Sequence, residues 1–307
     1  MAAITVAVHG LGNIGRHALD SLDAAPDMET LGVIRRASSL GARPFDLKGI
    51  PDFASIDDLI KKKGKPDVVI ICAPSRSVPE DAAFYLEKGL RTVDSFDIHA
   101  EIPALVVRLD EAARKSGSAA VTAAGWDPGT DSAMRALFEA MAPTGTTFTN
   151  FGQGRSMGHS VAVRSMPGVA DAASITIPLG GGRHSRLVHV LPEKGASFAA
   201  IKETIAKDPY FINDPLDVRE VADPEEMALV ADNSHGVRME RIGASGSISN
   251  QRLAFDMRIN NPALTAQVLV SCARAVTRLA PGAYTLIDIP PVALLPGDRM
   301  RNIARLV

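Results

Sequence analysis

Short apolar runs alternate with amphipathic stretches through the first third of the chain, the order expected of strands and helices laid side by side. Ile4–Val8 predicts a first strand, and Ala18, Leu19 and Leu22 recur at helical spacing before a second strand at Thr30–Ile34. "SIDDLIKKKG" predicts a helix with Ser55 as N-cap, Asp58 in the capping-box position and Gly64 as the stop. The run "DVVIICA", residues 67–73, is apolar on both faces, as a central parallel strand must be. "PSRSVPEDAAFYLEKG" then turns into a helix with Ser77 near its cap, Pro79 in the first turn and Gly89 at its end. Two more short strands follow, "RTVDS" and "AAVTAA". This alternation predicts an α/β fold with a doubly wound parallel sheet, whose ligands bind beyond the carboxyl ends of the strands.

From about residue 122 the strict alternation stops. "SITIPLGGGRHSRLVHVLP" reads as two strands around a glycine-rich loop, followed by the helix "SFAAIKETIAKDP". "HGVRMERIGASG" and "QRLAFDMRIN" alternate polar and apolar residues as half-exposed antiparallel strands do. A helix is expected over residues 261–282 with Gly282 as its stop, and "AYTLIDIPP" as a strand rejoining the first domain. The expected organisation is therefore one domain of residues 1–121 plus 283–307 and a second, α+β domain of residues 122–282.

Between the first predicted strand and helix stands "GLGNIG", with Gly10, Gly12 and Gly15 in the spacing of a dinucleotide-binding turn. Gly10 suits the tight turn, Gly12 lets a pyrophosphate touch backbone, and Gly15 allows the helix to pack closely on the strand. The first domain is thus expected to be Rossmann-type. An acid at the end of the second strand would bind the ribose hydroxyl of NAD, but this chain has Arg35 and Arg36 there. A guanidinium pair suits a 2′-phosphate, which points to NADP. The expected cofactor-binding set is Gly10, Gly12, Asn13, Ile14, Gly15, Arg35, Arg36 and Ser75.

Composition narrows the partners. A formal net charge of −2 provides no basic field for nucleic acid, and no apolar stretch approaches membrane-spanning length. Cys72 and Cys272 lie far apart in apolar surroundings and read as structural thiols; no metal site is expected. The N-terminus runs straight into a strand, which makes the cytoplasm the expected compartment.

Acids cluster after the fourth and fifth strands: Asp94, Asp97, His99 and Glu101 in "DSFDIHAE", then Trp126, Asp127 and Asp131 in "GWDPGTDS". Carboxylates at a ligand edge can hold an ammonium and help it lose a proton, and position singles out Asp97 and Asp127. Asp94 can equally belong to a strand end, and Asp131 can complement a helix dipole. His159, Arg186 and His235 lie near glycine-rich turns, where a carboxylated substrate would need donors.

"GLGNIGR", "APDM", "VDSFDIH", "AGWDPGTDS", "NFGQGRSMGHS" and "DIPP" together resemble the meso-diaminopimelate dehydrogenase family, in its shorter form, from residue 4 to the C-terminus. The resemblance implies NADP-dependent oxidative deamination of the D-centre of meso-2,6-diaminopimelate, reversible as reductive amination, by a homodimer built through the second domain. It implies that Asp97 and Asp127 hold the reacting amine with Trp126 as pocket wall, and that Phe151, Met157 and Gly158 shape the reacting centre. It further implies that Thr176, Arg186, His235 and Asn261 grip the distal L-centre and its carboxylate. Glu101 stands where family members commonly carry a second acid, and "GQG" with Arg155 departs from the family pattern. Other expectations compatible with these residues are a broad-specificity D-amino acid dehydrogenase, a cyclic-imine reductase and a non-catalytic NADPH sensor.

Overall fold

The computed structural model of the chain describes residues 3–152, 154–180, 183–231 and 235–307. Two compact units emerge, Met1–Ala133 with Pro262–Val307, and Met134–Asn261.

In the first unit β1 (Ile4–His9) leads into α1 (Asn13–Asp23), then β2 (Met28–Ile34) and the short β3 (Asp52–Phe53). α2 (Ile56–Lys63) begins on Ser55, whose hydroxyl accepts from the Asp58 amide at 3.1 Å as the capping pattern predicts. β4 (Val68–Ile71) is wholly buried, which is why its sequence is apolar on both faces. α3 (Val78–Glu87), β5 (Arg91–Asp94), α4 (Ile102–Ser116) and β6 (Ala119–Val121) follow, and α5 (Thr130–Met141) begins in this unit and runs on into the second. α4 is absent from the expectations above. Its signals are Leu105, Leu109 and Ala113 on one buried face and left-handed Gly117 as its stop.

The second unit holds β7 (Thr144–Phe151), β8 (Gly154–Ser156), α6 (Met157–Arg164), β9 (Val169–Gly180) and β10 (Arg183–Pro192). It continues through α7 (Phe198–Lys207), β11 (Leu216–Glu220), α8 (Pro224–Ala231), β12 (His235–Ser245) and β13 (Ile248–Ile259). Among the described residues β8 to β11 form a four-stranded sheet in the order β11-β10-β9-β8, and β13, β12 and β7 form an antiparallel three-stranded one. The two strands expected around the glycine-rich loop pair as β9 with β10, and the two expected from alternation pair as β12 with β13, both antiparallel. Arg241 of β12 is buried and donates to the carbonyls of Ala142 and Pro143 and to the Thr147 hydroxyl, so a side chain satisfies the carbonyls just past the end of α5.

The chain then returns through α9 (Asn261–Val276), β14 (Gly282–Tyr284) and α10 (Arg299–Leu306). α9 was expected in the second domain, but Val268, Leu269, Val270, Cys272 and Val276 are buried in the core that packs on β1. It stops at Val276, and Gly282 opens β14 rather than ending the helix. β14 is shorter than expected: after Tyr284 come tight turns over Leu286–Asp288 and Pro291–Leu294. The completed sheet has seven strands, β14-β6-β5-β4-β1-β2-β3, with every neighbouring pair parallel. One apolar cluster covers each face, so the strands are fixed from both sides.

Arg274 of α9 is 3% exposed and makes a two-pronged ion pair with Asp27, 2.6 and 2.8 Å, while its Nη1 donates to the Leu294 carbonyl. The Arg274 guanidinium holds the Asp27 carboxyl below the usual carboxylate range. Asp27→Ala leaves that buried cation without its partner and is expected to cost about 2–3 kcal/mol, a fall of roughly 5–10 °C in Tm, measured by thermal unfolding. An unchanged Tm would contradict it.

Candidate active site

The parallel sheet delivers the chemistry of the first unit to one edge. After β1 the backbone turns at Gly10, φ 98°, where a Cβ would stand 2.7 Å from the Cys72 carbonyl oxygen. A Cβ on Gly15 would run into the Gly10 carbonyl, so α1 sits on the turn with no room for a side chain. Gly12 differs, since a Cβ there would meet nothing within 4 Å. It is the N-cap of α1 and supplies no capping side chain, so the helix start presents its N–H groups and positive dipole end to open space. That arrangement fits a pyrophosphate.

The two arginines after β2 divide. Arg35 is turned inward at 9% exposure, its Nη1 donating to Asp52 at 2.9 Å and to the Ala42 carbonyl at 2.8 Å. Asp52 also accepts from the Gly41 amide, so this pair ties the segment after β2 to β3. Arg36 is exposed and precedes a tight turn over Ala37–Ser39. The two arginines expected to share a phosphate grip therefore stand differently, Arg35 held by Asp52 and Arg36 exposed.

Asp97 follows β5 and is exposed, with its Oδ1 accepting from the Ser75 hydroxyl at 2.6 Å. Ser75 was expected on the cofactor; in the structure its hydroxyl serves this acid. Asp127 follows β6 and is partly buried, and its neighbour Trp126 is 4% exposed. The loop carrying both is tightly folded: the Gly125 amide donates to the Pro128 carbonyl, and the Asp131 amide to the Trp126 carbonyl. His99 Nε2 stands 3.9 Å from Asp127 Oδ1, which brings the first acid cluster to the second. Glu101 is exposed, whereas Asp131 is buried.

In the second unit Thr176 and Arg186 face each other across the β9–β10 ladder, and the Arg186 Nη1 donates to the Thr176 hydroxyl. Its Nε donates to Asp214 at 2.7 Å, and neither bond uses Nη2. His159 shares a hydrogen bond with Ser156 through Nδ1 and one with the Tyr210 carbonyl through Nε2, and packs edge-on against Tyr210 and Phe211. Burial, then the Arg186 charge, pushes its pKa down, so it is a neutral strut for the segment that carries Asp214. Phe151 ends β7 opposite Val237, and His235 opens β12 with its pKa lowered by burial. Asn261 is exposed at the start of α9, and Met157 and Gly158 open α6 with the Met157 side chain outside the described residues. Asp214 is a partner that sequence spacing did not single out, and the pairing of His99 with Asp127 is new, since nothing in the chain order joins Asp214 to Arg186 or His99 to Asp127.

Burial pushes the Cys72 and Cys272 thiols up to about 12, which disfavours the thiolate form of both. Among the described residues no helix is long and apolar enough to cross a membrane.

Residues 4–94 match the oxidoreductase family with an NAD-binding Rossmann fold, and residues 125–182 match the diaminopimelic acid dehydrogenase C-terminal domain. A C. glutamicum DAP dehydrogenase solved in complex with DAP superimposes with a TM-score of 0.80 at 29% identity, covering 100% of both chains. An engineered D-amino acid dehydrogenase bound to NADP+ superimposes with a TM-score of 0.74 at 27% identity, again over 100% of both. Over 307 residues, 100% of each chain, the protein is 47% identical to the meso-diaminopimelate D-dehydrogenase of Bacteroides fragilis. The chain belongs to the meso-diaminopimelate D-dehydrogenase family.

Proposed function

We propose that the protein oxidatively deaminates the D-centre of meso-2,6-diaminopimelate with NADP, giving L-2-amino-6-oxopimelate, ammonia and NADPH, and runs the reverse as reductive amination. The observation that carries this is the pair of acids, Asp97 and Asp127, on the loops that leave neighbouring parallel strands β5 and β6. An ammonium held by carboxylates must lose a proton before its carbon can release hydride, because only a neutral nitrogen lone pair can form the imine. Asp97, with its Oδ1 engaged by Ser75, keeps its other oxygen for an N–H of the amine. Asp127 accepts the proton, and His99 beside it, with its side chain 61% exposed, offers the route to water. Trp126 walls the reacting centre. Water then adds to the imine and ammonia leaves.

The cofactor, when bound, supplies a nicotinamide ring that accepts the hydride. The start of α1 with Gly10, Gly12, Asn13, Ile14 and Gly15 holds the pyrophosphate, and Arg36 meets the 2′-phosphate while Arg35 braces the segment around it. The NADP+-bound relative supports that choice. In the second unit Arg186 receives the distal carboxylate, with Thr176, His235 and Asn261 around the L-centre and Phe151, Met157 and Gly158 shaping the D-centre. The same reading makes the protein a cytoplasmic homodimer.

Initial rates of NADPH formation are expected with meso-diaminopimelate and not with the LL-isomer; turnover of D-alanine at a comparable rate would recast the enzyme as a broad D-amino acid dehydrogenase. Arg36→Ala is expected to weaken NADP about 10- to 100-fold and NAD by less than about threefold in fluorescence titrations, whereas Arg35→Ala lowers Tm. Equal losses for the two cofactors in Arg36→Ala would contradict the assignment. Arg186→Ala should raise KM for meso-diaminopimelate about 10- to 100-fold, with a smaller change for D-alanine. An equal rise for both substrates would remove Arg186 from the distal carboxylate.

A further inference from the structure

We propose that Asp94 is a positioning residue for the reaction: its carboxylate ties the loop carrying Asp97 to the loop carrying Trp126 and Asp127, and so places the two acids relative to each other. This rests on the assignment of those acids to the reacting amine.

Asp94 is the last residue of β5 and is 0% exposed. A single oxygen, Oδ1, accepts three hydrogen bonds. One comes from the Phe96 amide at 3.0 Å, on the residue that immediately precedes Asp97. The others come from the Thr122 hydroxyl at 2.8 Å and the Ala123 amide at 3.3 Å, at the root of the loop that reaches Trp126 and Asp127. The Asp94 backbone carbonyl adds a fourth tie, accepting from the Ala124 amide at 2.9 Å. The paired register of β5 and β6 runs through Thr92↔Ala120 and Val93↔Val121, so the carboxylate takes over where the regular ladder ends.

Two further features indicate that this carboxylate holds more than a strand end. Ala123 adopts φ 54°, a left-handed conformation that an L residue with a side chain rarely takes unless its surroundings hold it there. Its amide is one of the groups bound to Oδ1. The second oxygen, Oδ2, is buried without a hydrogen-bond partner, and burial pushes the carboxyl up to about 6. A buried carboxylate with one bare oxygen is a costly way to fill space. Three donors converging on one atom from two loops explain why it is there, because an apolar side chain, with no acceptor oxygen, would not gather them.

The test uses the full chain with saturating NADP. Asp94→Ala is expected to lower kcat for meso-diaminopimelate about 100-fold, the cost typical of an ångström-scale misplacement of reacting groups, while the NADPH dissociation constant from fluorescence stays within about threefold. Asp94→Asn restores an acceptor at Oδ1 and is expected to recover at least about tenfold of that loss. Thr122→Val, which removes one donor and keeps the shape, should lower kcat about 3- to 10-fold with NADPH binding unchanged, and decides the matter if Asp94→Ala does not fold. Parental kcat in Asp94→Ala or in Thr122→Val would overturn the proposal, and so would NADPH affinity falling in step with kcat. Asp97→Asn and Asp127→Asn are run beside them. Loss of turnover in those two with none in Asp94→Ala sinks the positioning role alone, whereas full turnover in both sinks the assignment of the acids.

Discussion

A parallel sheet brings all of its carboxyl ends to one edge, and the first unit is organised by that constraint. Gly12 lies just beyond β1, Arg36 beyond β2, Ser75 beyond β4, Asp97 beyond β5 and Asp127 beyond β6. Residues far apart in sequence become neighbours only because the strands run β6-β5-β4-β1-β2 and none runs the other way. The apolar clusters on both faces hold the strands, so the loops inherit fixed starting points. The glycine turn is the tightest expression of this packing, with Gly10 against Cys72 of the loop after β4, and Gly15 against Gly10 itself.

Where the regular ladders and helices stop, buried or part-buried charged side chains take over the bonding. Arg35 with Asp52 ties the segment after β2, Arg274 with Asp27 anchors α9, Arg241 gathers carbonyls past the end of α5, and Asp94 gathers donors between β5 and β6. Each buries charge at a cost, and each is offset by more than one hydrogen bond. In the second unit Asp214 does the same for Arg186, fixing its Nε while the Thr176 hydroxyl takes Nη1. These groups confer direction: a two-pronged ion pair or a three-donor acceptor specifies one arrangement of loops where apolar packing would admit several.

Much of this was legible in the amino-acid order. The spacing of Gly10, Gly12 and Gly15, the doubly apolar run at β4 and the Ser55 cap are local signals, and each appears in the structure at its expected place. The placement of Asp97 and Asp127 at the ligand edge followed from their location after strands. What stayed hidden depends on partners distant in sequence. Arg35 looks like Arg36 until Asp52 is folded against it, His159 looks like a ligand until Ser156 and Tyr210 enclose it, and Asp214 gains meaning only beside Arg186. Asp94 read as a plain strand end because its donors Thr122 and Ala123 come from another strand's exit. The α4 helix, by contrast, carries a local signal, the regular spacing of Leu105, Leu109 and Ala113.

In the proposed reaction Asp97 and Asp127, on the loops after β5 and β6, handle an amine at a D-centre. Running the reaction in reverse tests it most directly: L-2-amino-6-oxopimelate, NADPH and isotopically labelled ammonium are supplied, and the product is resolved by chirality and label position. The account predicts meso-diaminopimelate labelled at the D-centre alone, with NADPH consumed only when ammonium is present. The LL-isomer as product, or NADPH oxidation that proceeds without ammonium, would contradict it.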